Sequence, residues 1–222
     1  MADAIDPLQV QRLLRREQGP FRPKPRLPEL DELVATVLSQ HTSDVNSERA
    51  FASLKERFPA WEDVLGAPTA AVADAIRMGG IADQKAARIQ RILAEVAELE
   101  GRLDLARLRE LDDEAVEAYL TALPGVGPKT AACVLTFSMG RPAFPVDTHV
   151  HRVALRLGWV PARATAEQAH VLLRDLVPPA IRYDLHLALI VHGRTVCRPR
   201  QPACDRCVLR PRCVFAGGAE KP

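Results

Sequence analysis

The sequence predicts an all-α protein, and three observations predict it. Apolar residues recur at i, i+3, i+4 and i+7 in four separate stretches. Strand-type alternation is scarce, and breaks rich in glycine and proline cut the chain into about ten pieces of helical length. With 222 residues, 47% of them hydrophobic and 26% charged, the chain can fill one large or two small globular domains.

In chain order, the first helix is expected from Pro7 to Gln18. The proline-rich stretch from Gly19 to Pro28 then reads as a linker, since proline removes backbone donors and pushes the preceding residue toward extended backbone. Leu30, Leu33, Val34, Val37 and Leu38 share one helical face. The same spacing returns in Ile89, Ile92, Leu93, Val96 and Ala97, in Val116, Tyr119, Leu120 and Leu123, and in Ala169, Leu172, Leu173, Leu176 and Val177. A further break at Arg141 to Pro145 marks a second boundary between helical parts.

Composition excludes some classes of function. The greasiest run, Leu185 to Val191, contains His186, and no stretch reaches the roughly 18 to 20 apolar residues of a membrane span. The acidic start, Met1-Ala2-Asp3-Ala4-Ile5-Asp6, lacks the basic-then-apolar pattern of a secretion signal, so a reducing cytoplasm and free thiols are expected. The net charge of +2 is uneven: from Arg194 onward seven basic residues face two acidic ones, giving +5 over the last 29 residues and −3 over the rest. That basic end suits contact with a polyanion, or is simply a solvated surface run.

Four of the five cysteines, Cys197, Cys204, Cys207 and Cys213, form a C-x6-C-x2-C-x5-C pattern with prolines at 199, 202 and 211. Four thiolates so close in sequence can surround one metal centre, and the prolines reduce the freedom lost on closing the loop. A single C-x2-C flanked by lone cysteines differs from the paired knuckles of structural zinc sites and favours a [4Fe–4S] cluster, with zinc or a disulfide pair as alternatives. Cys133 lies in an apolar helical stretch and reads as core.

Leu123-Pro124-Gly125-Val126-Gly127-Pro128-Lys129-Thr130 joins two helices by a tight turn. Gly125, Val126 and Gly127 can present backbone amides to a phosphate beside the positive end of the next helix, although an ordinary helix-to-helix turn has the same composition. Such a site needs little net positive charge. Lys129 falls in the first turn of that helix, where the dipole and partial desolvation disfavour its charged form. Asp147, ahead of Thr148-His149-Val150-His151, is a natural N-cap.

Hairpin, lysine, Val146-Asp147-Thr148-His149 and the cysteine loop, in this order, resemble the endonuclease III family of helix-hairpin-helix DNA glycosylases, from about Leu30 to Val214. The resemblance implies base excision repair: a damaged pyrimidine is flipped out of duplex DNA, its glycosidic bond is cleaved, and the strand is nicked at the abasic sugar by β-elimination. It implies Lys129 as the nucleophile that forms a Schiff base and Asp147 as the carboxylate that stabilises the developing sugar cation. It also implies Ile81 as an apolar wedge and Gln40 or His41 as a plug for the gap left by the flipped base. Arg200 and its neighbours would set a cationic finger on the DNA backbone, held by a structural [4Fe–4S] cluster on the four cysteines. Gly193, in His192-Gly193-Arg194, reads as a helix C-cap.

The implied architecture is two helical lobes with DNA in the cleft between them: a six-helix lobe over residues 27–141 with the helix-hairpin-helix motif, and an iron–sulfur lobe of residues 1–26 and 142–222. The implied partner is double-stranded DNA with damaged pyrimidines or abasic sites. A monomeric, cytoplasmic, nucleoid-associated enzyme without membrane contact is expected.

Three positions depart from the family pattern. Pro128 stands where an arginine is usual, Thr121 where an acidic residue is expected, and Ile81 where leucine is expected. The competing functions are a monofunctional mismatch glycosylase, against which Lys129 argues, a non-catalytic DNA-damage-binding protein, and a zinc-bound interaction domain.

Overall fold

The computed structural model describes residues 4–23 and 26–217. The fold is all-helical, with eleven α-helices and no strand among the described residues. No described helix is long and apolar enough to cross a membrane. The described residues divide between two compact units, one drawn from Met1–Lys24 and Pro142–Pro222 and the other from Pro25–Arg141.

The second unit contains α2 (Glu29–Ser39), α3 (Asp44–Arg57), α4 (Trp61–Gly66), α5 (Thr69–Ala75), α6 (Ala82–Glu100), α7 (Asp113–Ala122) and α8 (Pro128–Cys133), which runs on into a π turn at Val134–Ser138. The expected stripe of α2 is buried in full, as are Ile89, Ile92, Leu93 and Val96 of α6, and the two helices pack against each other. Pro128 takes the first position of α8, where its missing N–H leaves no bond unmade. Arg141 closes the unit by donating to the carbonyls of Leu111 at 2.6 Å and Arg109 at 2.8 Å.

The first unit is built on α1 (Pro7–Gln18), α9 (Thr148–Leu157), α10 (Ala166–Leu176) and α11 (Arg182–Thr195). Asp6 caps α1, and α1 lies on α11. There Gln11 Nε2 and the Phe21 N–H both donate to the Asp184 carboxylate, at 2.5 and 2.7 Å. The buried Trp159 indole donates to the Ile5 carbonyl at 2.6 Å, tying the end of α9 to the chain start.

Two expectations are corrected here. Of the apolar stripe on α10, Ala169, Leu173 and the capping Val177 are buried, while Leu172 and Leu176 are 42% and 39% exposed, so the face that α10 covers is narrower than its apolar spacing. Gly193 is not a C-cap: it lies within α11, whose cap is Val196. Its glycine is required by close helix approach, since a Cβ there would stand 2.9 Å from the His149 Cβ and 3.1 Å from Arg152 Nη2 on α9.

Candidate functional site

The hairpin begins where α7 stops at Ala122. Gly125 takes φ +73°, a left-handed conformation open to glycine without strain, and a Cβ there would come within 2.9 Å of Arg88 Nε. The Val126 N–H donates to the Leu123 carbonyl at 3.1 Å, and the Val126 side chain is 5% exposed. Val126 thus anchors the turn in the core and offers a ligand only its backbone. Gly127 forms the N-cap of α8, and Lys129 follows in the first turn, half-buried.

A second ionisable side chain stands near Lys129. Glu32, half-buried on α2, has its carboxyl pushed up to about 7 by burial, against the opposing effects of the Thr36 hydroxyl and the Lys129 charge. Sequence reasoning passed over Glu32 as one of three acids in the first turn of α2. The signal was Thr36 four residues on, which puts a hydroxyl on the same helical face.

The loops holding the expected plug and wedge belong to the same unit. Gln40 Oε1 accepts from Arg88 Nη1 at 2.7 Å, whereas His41 is exposed at φ +54°. Ile81 is 47% exposed at φ +41° and follows Gly80 at φ +71°. Two non-glycine residues in left-handed backbone, one on each loop, hold strain of roughly 1 kcal/mol or more apiece that the surrounding structure must sustain. Lys85 supplies part of that support, its Nζ donating to the carbonyls of Leu38 and Gly79, at 2.7 Å in each case. Burial lowers the pKa of this lysine, and sequence reasoning missed it because a lysine on an amphipathic helix ordinarily faces water.

In the other unit, Asp147 caps α9, its Oδ1 accepting from the Val150 N–H at 2.7 Å. His149 follows in the first turn of α9, with its pKa lowered chiefly by burial. Arg152 donates to the carbonyls of Gly193 at 2.8 Å and Cys197 at 2.9 Å, fastening α9 to α11 and to the start of the cysteine loop.

Cys197, Cys204, Cys207 and Cys213 are all free thiols lining one pocket, with Leu157 and Leu209 among its apolar walls. Burial pushes the Cys207 and Cys213 thiols up, and neighbouring cysteines add to the shift. Arg156 Nη1 approaches Cys197 Sγ at 3.2 Å, and His192 Nε2 lies 3.6 Å from Cys207 Sγ. Among the described residues no three His, Cys, Asp or Glu side chains close around a point able to hold one metal ion. Of the loop arginines, Arg206 donates to the Thr195 carbonyl at 2.9 Å and Arg210 pairs with Asp205 at 2.9 Å. Arg198, Arg200 and Arg212 are exposed. Cys133 is buried, as expected of a core residue.

Comparison with known proteins matches residues 34–179 to the family model of the HhH-GPD superfamily base excision DNA repair proteins. The chain is 43% identical over 193 residues to a protein of Arabidopsis thaliana provisionally named a DNA glycosylase, covering 87% of this chain and 64% of that protein. It is 36% identical over 200 residues to the endonuclease III of Thermotoga maritima, covering 90% and 85% of the two chains. An endonuclease III solved in a non-covalent complex with DNA superposes with a TM-score of 0.80 at 26% identity, over 96% of this chain and 97% of that one.

Proposed function

Because the chain belongs to the HhH-GPD superfamily of base excision DNA repair proteins, we propose that it is a DNA glycosylase that removes oxidised pyrimidines and cleaves the resulting abasic site by β-elimination. The observation that carries this reading is Lys129, half-buried in the first helical turn after the Gly125 to Gly127 bend. An amine there can attack the sugar C1′ while the glycosidic bond breaks and the base leaves with the bonding electrons. The imine that follows acidifies the C2′ proton, and its loss expels the 3′ phosphate.

Asp147 would stabilise positive charge on the sugar as the base departs. Its capping bond to Val150 fixes one carboxylate oxygen and so orients the other. The Gly125–Gly127 backbone would bind a phosphate of the duplex. Ile81 would enter the base stack, and His41 rather than Gln40 would fill the gap, since the Gln40 carbonyl oxygen is held by Arg88. The substrate would be double-stranded DNA, and the protein a monomer of the cytoplasm acting on the nucleoid.

The four cysteines fit a [4Fe–4S] cluster. All four line one pocket, and their single C-x2-C flanked by lone cysteines differs from the paired knuckles of structural zinc sites. Bound there, the cluster would supply a rigid core for the loop that presents Arg198 and Arg200, with no part in bond breaking. Visible absorption of the purified protein separates it from zinc.

Borohydride trapping on a duplex with one abasic site tests the function. A covalent protein–DNA adduct is expected from the wild type and not from Lys129→Gln. A wild type that turns over damaged bases without an adduct would be a monofunctional glycosylase, and one with no turnover at all a binding protein.

A further inference from the structure

The loops that carry His41 and Ile81 are joined to each other through α6. They lie side by side, since a Cβ on Gly80 would stand 4.0 Å from the His41 carbonyl oxygen. α2 ends at Ser39, just before the first loop, and the 3-10 turn Arg77–Gly79 ends just before Ile81. The last carbonyls of such helical segments find no partner within them. Lys85 serves both ends at once, its Nζ donating at 2.7 Å to the Leu38 carbonyl and at 2.7 Å to the Gly79 carbonyl. An apolar side chain would fill the same volume without desolvating an ammonium, so packing alone does not account for a lysine at 1% exposure. What the ammonium adds is one donor group that reaches two segments far apart in sequence.

Arg88, three residues further along α6 and half-buried, points from the same face and adds a second tie. Its Nη1 donates to Gln40 Oε1 at 2.7 Å, and its Cδ lies so close to the hairpin that a Cβ on Gly125 would meet it at 3.1 Å. These ties bear on the backbone of the loops. His41 at φ +54° and Ile81 at φ +41° hold left-handed conformations that an untethered chain would leave, because a Cβ there crowds the next carbonyl oxygen.

We propose that Lys85 and Arg88 are positioning residues that lock the two loops into one rigid insert before DNA arrives, so that the gap left by a flipped base is met by a preformed surface. This rests on the reading of Ile81 and His41 as the residues that fill the gap. Loops already shaped for the gap lose little freedom on binding a damaged duplex, whereas loops that must first order themselves lose affinity in proportion to the time they spend elsewhere. The undamaged duplex, which offers no gap, gains nothing from the insert. The two ties therefore act on discrimination rather than on general affinity for DNA.

The test compares the wild type with Lys85→Met, Arg88→Met, Arg88→Lys, Ile81→Ala and His41→Ala. Anisotropy titrations give the affinity of each for a duplex with one tetrahydrofuran abasic analogue and for the same duplex undamaged. The ratio of the two affinities does not depend on how much of a variant is folded, so a merely structural role would leave it unmoved. Lys85→Met and Arg88→Met should each lower the ratio by about tenfold, as loops competent for about a tenth of the time would. Arg88→Lys, which still offers Gln40 a donor, should recover part of it. Amide hydrogen exchange in the DNA-free protein should quicken over residues 39–43 and 77–81 together in Lys85→Met. Should Lys85→Met fail to accumulate as folded protein, Arg88→Met decides, since Arg88 is only half-buried. A wild-type ratio in the Lys85 and Arg88 variants beside a lowered ratio in Ile81→Ala or His41→Ala overturns the proposal and leaves the gap-filling reading standing. A ratio unmoved in both Ile81→Ala and His41→Ala overturns that reading and the proposal with it.

Discussion

The Lys85 ammonium stands 2.7 Å from the carbonyl oxygen of Gly79, in a core that leaves the residue 1% exposed. A second bond of the same length reaches the Leu38 carbonyl, so one buried cation fastens the end of α2, which leads to His41, to the loop that leads to Ile81. Replacing it with methionine keeps most of the volume and leaves two carbonyls without their donor. Lys85→Met should therefore lose about 3 kcal/mol of stability in urea denaturation. Its affinity for an abasic duplex should fall by more than the loss of folded protein explains.

Asp147 has two separable duties. Asparagine keeps the cap on Val150, so Asp147→Asn should fold within about 0.5 kcal/mol of the wild type, whereas Asp147→Ala should lose about 1 kcal/mol. Both should lose about a hundredfold or more in base-excision rate. Single-turnover kinetics beside thermal denaturation checks this, and an active Asp147→Asn enzyme would leave the residue as a cap alone.

Gly193→Ala should be destabilising although it is a small change inside a helix. The added methyl would stand 2.9 Å from the His149 Cβ, which cannot swing away, so α11 and α9 must separate. A loss of about 1 to 3 kcal/mol is expected. Because Arg152 bridges Gly193 to the Cys197 carbonyl, a cluster bound as proposed at the four cysteines should be lost faster from the variant under mild heating, read as visible absorbance.

Arg200→Glu should weaken duplex binding most at low salt and reduce the slope of log K against log salt by about 1, without altering single-turnover rates at saturation. Anisotropy titrations at several salt concentrations measure it. An unchanged slope removes this arginine from the interface.

Glu32 shapes stability against pH. Its carboxyl rises from the ordinary 4.5 to about 7 on folding, so between those values the folded chain binds more protons than the unfolded chain. Stability should therefore fall as pH rises from about 4.5 to about 7, and this contribution should vanish in Glu32→Gln. Urea midpoints measured across that range for the two proteins give the difference directly.

Much of the fold was legible because helical periodicity is local. The buried stripes of α2 and α6 stood in the sequence as i, i+3, i+4 rows, and Asp147 announced its helix as a cap. The stripe of α10 misled because apolar spacing gives the width a helix can bury, while the neighbour decides how much is covered. Gly193 misled for a related reason: proximity to a helix end suggested a cap, and only the packing of α9 showed a contact too close for a Cβ.

The sequence alone determined what depends on neighbours along the chain: an all-helical fold, the Gly125 to Gly127 bend with Lys129 in the turn that follows, the cap at Asp147 and the run of four cysteines. Tertiary structure decided what depends on residues far apart in sequence. It buried Glu32 enough to push its carboxyl up while Glu29 and Asp31 found partners in Arg109 and Trp61, buried Lys85 between two loops, and bound Gln40 to Arg88 while leaving His41 exposed. The physical reason is range. Backbone propensity and capping act over about one helical turn, whereas burial and the electric field of a distant side chain exist only once the chain has closed on itself.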